Sequence, residues 1–269
     1  MNDRHGYGAA MIDRLERYWR VFGTGLSFAL FGTGGILLRI LVFPFLNLFV
    51  RNAEKRNQLA RRVIRLSFIL FIGIMRILGV LRYSITGAER LNRNGLLIIA
   101  NHPTLIDTIF LMSITHNADC IIKSSLWRNP FTHGPVHAAG YIRNDEGAEL
   151  VDDCIAALNR GSNLIIFPEG TRTPDDGIVR IKRGATNIAV RGKRNITPVV
   201  IRCNPKTLGK NMKWWRVPEK RVHFLIEVKE DIDINDFISQ DSNEVMAVRR
   251  LTDHIENFFN EENGNYGFA

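Results

Sequence analysis

The sequence predicts an α/β protein with a mixed, mostly parallel sheet flanked by helices and an N-terminal membrane-associated helical segment. Beyond about residue 83, short and nearly all-apolar runs alternate with amphipathic helical patterns, which is typical of strands covered on both faces. Near the N-terminus lies a long uncharged stretch surrounded by basic residues. The 269 residues, of which 45% are apolar, are enough to build a packed core.

Five short runs in the second part of the chain are predicted as strands: Leu96 to Ala100, Cys120 to Lys123, Asn163 to Phe167, Thr197 to Arg202 and Val222 to Val228. Two helices follow from apolar residues at helical spacing. One is predicted over Glu149 to Arg160 and stops at Gly161, a typical C-terminal residue of helices. The other is predicted over Ser242 to Phe259, with Asp241 as a candidate capping residue.

The N-terminal apolar stretch indicates a membrane segment. Val21 to Leu38 carries no charge over eighteen residues, and after Arg39 a further eleven apolar or neutral residues run to Val50. Eighteen residues is at the short end for a hydrocarbon core about 30 Å thick. Because the middle is rich in glycine (Gly32, Gly34, Gly35), a helical hairpin entering one leaflet and a single transmembrane helix are both compatible with the sequence.

A second apolar segment, Val63 to Leu81, is interrupted by Arg65 and Arg76. This pattern predicts a helix that lies in the membrane interface with its arginines among the lipid headgroups. A cleavable signal peptide is the alternative for the N-terminal stretch, but no small-residue cleavage site ends the run, and hydrophobicity resumes after Arg39.

The basic excess of the chain is confined to its N-terminal part. The net charge is +9, and residues 1–82 carry 13 Lys and Arg against 4 Asp and Glu, whereas residues 83–269 carry 23 against 23. Since these cations flank apolar runs, they favour an anionic membrane surface over nucleic acid. We therefore expect a membrane-anchoring segment over residues 1–82 and an α/β domain over residues 83–269, on the cytoplasmic side of the membrane.

The three cysteines, Cys120, Cys154 and Cys203, are far apart and odd in number. Their spacing matches neither a disulfide framework nor a zinc site. We expect reduced, packed thiols and no metal.

The first motif with chemical content is NHPTLID, which follows the strand predicted at Leu96 to Ala100. Proline favours the first helical position, which predicts a helix from Pro103 with His102 at its cap and Asp107 in its second turn. An Asp107–His102 pair would fix one tautomer of the imidazole and raise its basicity. The alternative reading is an ordinary helix start with a partly exposed histidine.

A second motif, FPEGTRT, follows the strand predicted from Asn163, so it falls at the sheet edge where ligands bind in α/β proteins. Gly170 allows close approach of the backbone to a ligand, and Arg172 offers a planar fork suited to phosphate. Two further motifs, GYIRND and VRIKRGA, add Arg143, Lys182 and Arg183. A structural turn and solvated surface cations are the alternative readings of these motifs.

The ordered set NHPTLID, GYIRND, FPEGTRT and TPVVIRC resembles the four sequence blocks of the glycerolipid acyltransferase family, the H-x4-D acyltransferases, over about residues 83 to 205. Two departures are modest. Tyr141 stands in the second block where the family usually has Phe, and Thr171 stands in the third where Ser and Thr both occur.

The resemblance implies transfer of a fatty acyl group from a thioester to a lipid hydroxyl, without a metal, a covalent enzyme intermediate or a cofactor other than the donor. In that chemistry His102 is the general base and Asp107 stabilises the imidazolium. Backbone N–H groups beside His102 and Gly170 would stabilise the oxyanion. Ser124 and Ser125 do not lie in a nucleophile-elbow setting. The residues expected to bind the acceptor headgroup are Arg143, Glu169, Gly170, Thr171, Arg172 and Lys182, with Glu169 orienting Arg172 or the acceptor.

The expected reaction acylates a lysophospholipid, with 1-acylglycerol-3-phosphate giving phosphatidic acid as the leading case. Acylation of another lyso-lipid or a specialised polar lipid remains open, as do a hydrolase and a non-catalytic lipid-binding protein on the same fold. The expected partners are membrane lipids, the lysophospholipid and either acyl-CoA or acyl carrier protein, but not nucleic acid. The expected location is the cytoplasmic face of a bacterial inner membrane. The sequence indicates neither the chain length nor the donor.

Overall fold

The computed structural model describes residues 3–123, 133–144, 149–239 and 243–264. Within these ranges, a seven-stranded sheet in the order β1-β7-β6-β2-β5-β3-β4 forms the centre of the chain. The strands are β1 (Leu81–Thr86), β2 (Leu97–Ala100), β3 (Ala118–Lys123), β4 (Ile142–Asn144), β5 (Asn163–Ile166), β6 (Ile196–Asn204) and β7 (Val222–Val228). The helices are α1 (Asp3–Leu37), α2 (Phe43–Phe49), α3 (Ala53–Ile77), α4 (Asp107–Ile114), α5 (His133–Ala139), α6 (Glu149–Asn159), α7 (Gly184–Gly192), α8 (Asn235–Ile238) and α9 (Glu244–Gly264).

The sheet is mixed and mostly parallel, as the sequence predicts. All neighbouring strands pair in parallel except β6 and β7, which are antiparallel. Strands β1 and β7 therefore run opposite to the other five. The sequence missed β1, whose residues alternate between exposed and more buried positions, and β4, which has only three residues. Neither strand has the continuous apolar run that identified the others.

Side-chain alternation along the strands supplies two cores, one on each face of the sheet. In β2, Ile98 and Ala100 pack on the face covered by α3, α4 and α5, whereas Leu97 and Ile99 pack on the face covered by α6, α7 and α9. All four residues are fully buried, which explains the unbroken apolar run in the sequence.

The apolar N-terminal stretch forms one continuous helical rod. Helix α1 passes through a π-helical turn at Leu38–Val42 directly into α2, and Pro44 lies in the first turn of α2 where a missing N–H is tolerated. The hairpin considered within Val21 to Val50 is therefore not formed, because the glycines stay inside the helix. Among the described residues, Arg14–Phe49 is the one helix long and apolar enough to cross a membrane.

The chain reverses after Val50, and α3 returns along α1. The ring of Phe31 lies 4.8 Å from that of Phe71, and Trp19 Nε1 donates to Leu78 O at 2.9 Å. The outer faces of α1, α2 and α3 expose large apolar side chains, among them Phe22, Leu30, Ile40, Leu48, Phe49, Leu66, Leu70 and Ile77. An extended apolar surface of this kind marks a site for membrane or protein contact.

Helix α3 differs from the interfacial helix that the sequence predicts over Val63 to Leu81. It starts earlier, at Ala53, where Asn52 accepts from Lys55 N at 3.0 Å. One of its faces also joins the core of the α/β domain through Ile64, Phe71, Ile72 and Met75. The expected division between residues 82 and 83 falls inside β1. Helix α3, expected in the anchoring segment, thus packs as part of the sheet's first layer.

Arg61 of α3 is buried rather than directed at lipid. Its Nη2 lies 2.5 Å from Asp119 Oδ2 on β3, its Nη1 donates to Ser162 Oγ at 2.7 Å, and its Nε donates to Ala139 O at 2.9 Å. Both charged side chains are less than one-tenth exposed. A buried charge that is paired and hydrogen-bonded in this way fixes the helix against the sheet.

The cysteines that the structure describes are free thiols. Burial raises the pKa of Cys154 and of Cys203 to about 12. These thiols stay protonated at neutral pH and are poor nucleophiles.

Replacing Arg61 with Ala should lower the free energy of unfolding by about 3–5 kcal/mol, because Asp119 is left buried without its counter-charge. The matched control is the exposed neighbour Arg62, whose replacement with Ala should cost about 0.5 kcal/mol or less. Denaturant unfolding in detergent measures both. Equal stability of the Arg61→Ala and Arg62→Ala variants would contradict an anchoring role for Arg61.

Candidate active site

Three loops meet where adjacent parallel strands end. Strand β2 lies between β5 and β6, and the segments that follow these strands are residues 101–106, 167–173 and 205–209. Backbone hydrogen bonds join them: Thr173 N donates to His102 O at 2.8 Å, and Leu105 N donates to Leu208 O at 3.0 Å. Three separate parts of the sequence are thereby held together at one edge of the sheet.

His102 and Asp107 form a hydrogen-bonded pair. His102 Nδ1 lies 2.9 Å from Asp107 Oδ2, and the Asp107 side chain is fully buried while that of His102 is 18% exposed. The same carboxylate accepts from Thr104 N at 2.6 Å and from Thr104 Oγ1 at 2.5 Å. With Nδ1 donating to the carboxylate, Nε2 is the basic nitrogen of the neutral ring.

The helix expected from Pro103 is not present. Helix α4 begins at Asp107 itself, and residues 101–106 form a loop. The physical reason is the Asp107 side chain, which bonds back to Thr104 and closes a turn before the helix starts. His102 reaches Asp107 through this turn, not along the face of a helix.

The imidazole of His102 is also held by stacking. Its ring lies 4.3 Å from that of Phe167, at an angle of 26°. No protein partner of Nε2 occurs among the residues that the structure describes. The ring is thus fixed by one hydrogen bond and one aromatic contact, with its basic nitrogen available to a substrate.

Glu169 is a second buried carboxylate and holds the histidine loop. Its Oε1 accepts from His102 N at 2.9 Å and from Thr173 Oγ1 at 2.8 Å. The sequence suggested that Glu169 orients Arg172 or the acceptor, but the hydrogen bonds found within the described residues go to His102 and Thr173. Its Oε2 is buried without a partner there.

Burial raises the pKa of both carboxyl groups above the ordinary value. For Asp107, hydrogen bonds from His102 and Thr104 oppose the effect of burial. For Glu169, hydrogen bonds from Thr173 and from the His102 backbone oppose it. Each carboxylate therefore has a desolvation cost that its donors offset in part.

The other candidate residues of FPEGTRT surround the mouth of the site. Gly170 has φ +68°, a left-handed conformation that favours glycine, and Lys182 Nζ lies 2.8 Å from where a Cβ would stand. Thr171 is exposed. Arg172 Nη1 donates to Leu208 O at 2.9 Å and to Gly209 O at 2.8 Å. The Nη1 group of the guanidinium is therefore hydrogen-bonded to the loop after β6.

Arg143 is farther from the histidine. It lies on β4, which is separated from β2 by β5 and β3, a distance of about 14 Å across three strand spacings. The structure brings His102, Asp107, Glu169, Gly170, Arg172 and Lys182 together, with Arg143 exposed at the end of the same sheet. Ser124, Ser125 and Asp145 lie outside the described residues.

Several site-building residues had no assigned role in the sequence analysis. Asn101 bridges β2 to β6, because its Nδ2 donates to Ile201 O at 2.8 Å and its Oδ1 accepts from Ile201 N at 2.7 Å. Thr104, Phe167 and Thr173 lie inside the quoted motifs, and nothing else in the sequence indicated that they belong to the site. Leu208 lies outside those motifs, so the sequence gave no indication of its role. Among the described residues, no cluster of His, Cys, Asp and Glu suited to a metal ion is found.

Comparison with known proteins supports the resemblance to acyltransferases. Residues 82–202 match the family model described as Acyltransferase. The match covers a little under half of the chain, and the resemblance drawn from the four blocks is confirmed.

Relatives from distant organisms share a more specific description. A 1-acyl-sn-glycerol-3-phosphate acyltransferase from Saccharomyces cerevisiae is 31% identical over 152 residues, which are 51% of this chain and 48% of the relative. One from Pseudomonas aeruginosa is 26% identical over 137 residues, 48% of this chain and 52% of that protein. The chain thus spans about half the length of the curated relatives it matches.

A solved structure shares the fold over nearly the whole chain. The crystal structure of the 1-acyl-sn-glycerophosphate acyltransferase from Thermotoga maritima superposes with a TM-score of 0.67. The match covers 96% of this chain and 99% of that one at 18% sequence identity. At this identity the likeness establishes a common fold.

Replacing Glu169 with Gln should change how stability depends on pH. Because burial raises the pKa of Glu169, the stability tied to its protonated form is present below the ordinary glutamate pKa and lost as pH rises through the raised value. Gln does not titrate, so the Tm of Glu169→Gln should exceed that of the wild type near neutral pH and match it below pH about 4.

The control for this experiment is the exposed Glu261 of α9, whose replacement with Gln should leave the pH profile of the Tm unchanged. Differential scanning fluorimetry in detergent records each profile. A constant difference between wild type and Glu169→Gln at every pH would contradict the titration of Glu169.

Proposed function

We propose that this protein transfers a fatty acyl group from an acyl thioester to the hydroxyl of a lysophospholipid, with 1-acylglycerol-3-phosphate as acceptor and phosphatidic acid as product. The observation that carries the proposal is the His102–Asp107 pair at the edge of the sheet, with the basic nitrogen of His102 available. The names of relatives from yeast and Pseudomonas support the choice of acceptor.

In the proposed reaction, His102 Nε2 takes the proton of the acceptor hydroxyl as its oxygen attacks the thioester carbonyl. The tetrahedral intermediate collapses with loss of the thiolate, which receives the proton back from the imidazolium. Asp107 stabilises the imidazolium between these steps and keeps the ring in one tautomer. The acceptor supplies the nucleophilic oxygen, so the mechanism uses no enzyme nucleophile.

The oxyanion needs backbone donors that are not already used. Near the histidine, His102 N, Thr104 N, Gly170 N and Thr173 N all donate within the protein. The N–H groups of Thr171 and Arg172 have no partner among the described residues. We assign the oxyanion to these two groups, which adjoin the positively charged Arg172 and Lys182 side chains.

The cations beside the site favour an acceptor with a phosphate. The Arg172 guanidinium donates to Leu208 O and Gly209 O through Nη1, which leaves its other N–H groups for a ligand. The Lys182 side chain lies over Gly170. Arg143 would contact the headgroup from the far side, across about three strand spacings. Acyl-CoA and acyl carrier protein both remain candidate donors.

The helices that precede the sheet suggest that the protein works at a membrane. The rod of α1 and α2 exposes an apolar surface, and arginines flank it in the sequence. Burial of this surface in the bilayer would bring the site to a substrate that resides there. We propose the cytoplasmic face of a bacterial inner membrane as the location.

His102→Ala should abolish acyl transfer, and Asp107→Asn should lower kcat by about 100-fold or more, because an amide does not stabilise an imidazolium as a carboxylate does. The assay uses purified protein with acyl-CoA or acyl carrier protein, a panel of lysolipids, and mass spectrometry of the products. Both variants should keep the wild-type circular dichroism spectrum.

Turnover near the wild-type value in folded His102→Ala would exclude His102 as the base. A wild-type protein that acylates none of the lysolipids, yet binds them, would favour a non-catalytic lipid-binding protein. Free fatty acid as the main product would identify a hydrolase.

Arg172→Lys should raise the KM for 1-acylglycerol-3-phosphate by about tenfold although the charge is kept, because a single ammonium cannot reproduce the two-pronged contact with phosphate. The matched control is Arg180→Lys, since Arg180 is exposed and pairs with Asp176 in the same segment. An unchanged KM in Arg172→Lys would argue against phosphate recognition by this side chain.

A further inference from the structure

The connection between β6 and β7, residues 205–221, has an exposed tip that the proposed reaction does not use. We call it the tryptophan loop. Trp214 and Trp215 are 43% and 49% exposed and pack edge to face with ring centroids 5.6 Å apart. Lys213 Nζ lies 5.1 Å from the ring of Trp215. Two adjacent, half-exposed indoles on a soluble surface indicate a contact site.

The tryptophan loop is strongly basic in an otherwise acidic region. It carries six Lys and Arg against one Glu, a net charge of +5, whereas the rest of residues 83–269 carries 17 against 22. Lys206 pairs with Asp175, and Arg221 donates to Leu81 O and Arg76 O. Among the described residues, four cations of the loop have no ion-pair partner: Lys210, Lys213, Arg216 and Lys220.

The tip of the loop continues the exposed apolar surface of the helical rod. A Cβ on Gly25 of α1 would come within 3.2 Å of the Trp214 ring. Close by, the buried Arg20 of α1 donates to the carbonyl of Glu219. The indoles therefore lie beside the helix whose outer face is apolar, with the cations around them.

We propose that the tryptophan loop docks into the headgroup layer of an anionic phospholipid membrane. Tryptophan favours the membrane interface, since its ring is apolar and its N–H is polar. Neighbouring lysines and arginines are attracted to anionic headgroups. Charge complementarity and continuity with the rod select this partner, and the inference concerns binding that does not require catalysis.

The base of the same loop touches the candidate active site. Leu208 O accepts from Arg172 and from Leu105 N, and Gly209 O accepts from Arg172. Leu208 and Val217 are buried, so the base is packed while the indoles of the tip are half-exposed beside α1. Docking of the tip would hold the carbonyls that position Arg172. This second step rests on the proposed acyltransferase function.

The first test locates the indoles in a bilayer. Full-length protein in which Trp19 and Trp127 are replaced with Phe keeps only the two tryptophans of the loop. It is reconstituted into phosphatidylcholine vesicles containing phosphatidylglycerol and phosphatidylcholine brominated at a shallow position. We expect brominated lipid to quench the emission and aqueous iodide to quench it weakly. Strong iodide quenching without quenching by brominated lipid would overturn the proposal.

The second test measures the contribution of charge with the triple variant Lys210→Gln, Lys213→Gln, Arg216→Gln. Wild-type acyl transfer should rise when phosphatidylglycerol is added to phosphatidylcholine vesicles, and this gain should shrink by about tenfold in the variant. Activity of wild type and variant in detergent micelles should be equal. The matched control replaces the exposed Arg160, Lys193 and Arg249, which lie on or beside α6, α7 and α9, and should keep the full gain.

The outcomes separate the two proposals. No acyl transfer in micelles by wild-type protein would refute the proposed function, while the quenching experiment would still decide whether the loop docks. Equal gains for the loop variant and the control variant would overturn the role of the loop charges. A variant inactive in micelles as well would show that these cations act in the reaction, which also contradicts docking as their role.

Discussion

The candidate active site depends on the burial of the Asp107 carboxylate. A charge in the interior has to be hydrogen-bonded, and the donors available here are Thr104 and the ring of His102. These bonds close the loop after β2, delay the start of α4 to Asp107, and fix the ring of His102. Because the buried carboxylate needs hydrogen-bond donors, it holds the ring of His102 in one position.

A second buried carboxylate connects the histidine loop to the loop of the neighbouring strand. Glu169, at the end of β5, accepts from the backbone of His102 and from Thr173. Arg172 then links the same loop to the carbonyls after β6. Three loops from adjacent parallel strands thus constrain one another around His102. Parallel strands in the order β5-β2-β6 make this possible because their carboxyl ends fall at one edge.

Much of this arrangement was predictable from local patterns. Continuous apolar runs identify the strands buried on both faces, and the ordered motifs single out His102, Asp107 and Arg172, which the structure brings to one edge of the sheet. What was missed depends on contacts between distant residues. The reversal at Val50, the pairing of Arg61 with Asp119, and the bridge from Asn101 to Ile201 each join segments that share no local signal. The start of α4 was mispredicted because proline favours a helix there, whereas the side chain of Asp107 bonds back to Thr104.

A rigid site for a membrane lipid, as proposed here, has to meet its substrate at a defined orientation. In the proposed reaction, a histidine held rigidly at a sheet edge would accept a proton only from a hydroxyl delivered to Nε2, so the sheet would have to keep a fixed position relative to the lipid surface. One attachment, through the exposed apolar faces of α1, α2 and α3, would leave the tilt of the sheet toward the lipid surface undefined. A second contact at the tryptophan loop would define this orientation. The base of that loop, at Leu208 and Gly209, accepts hydrogen bonds from Arg172. Two separate contacts define an orientation where one does not, so the proposed docking of the loop would affect the geometry of the site as well as affinity.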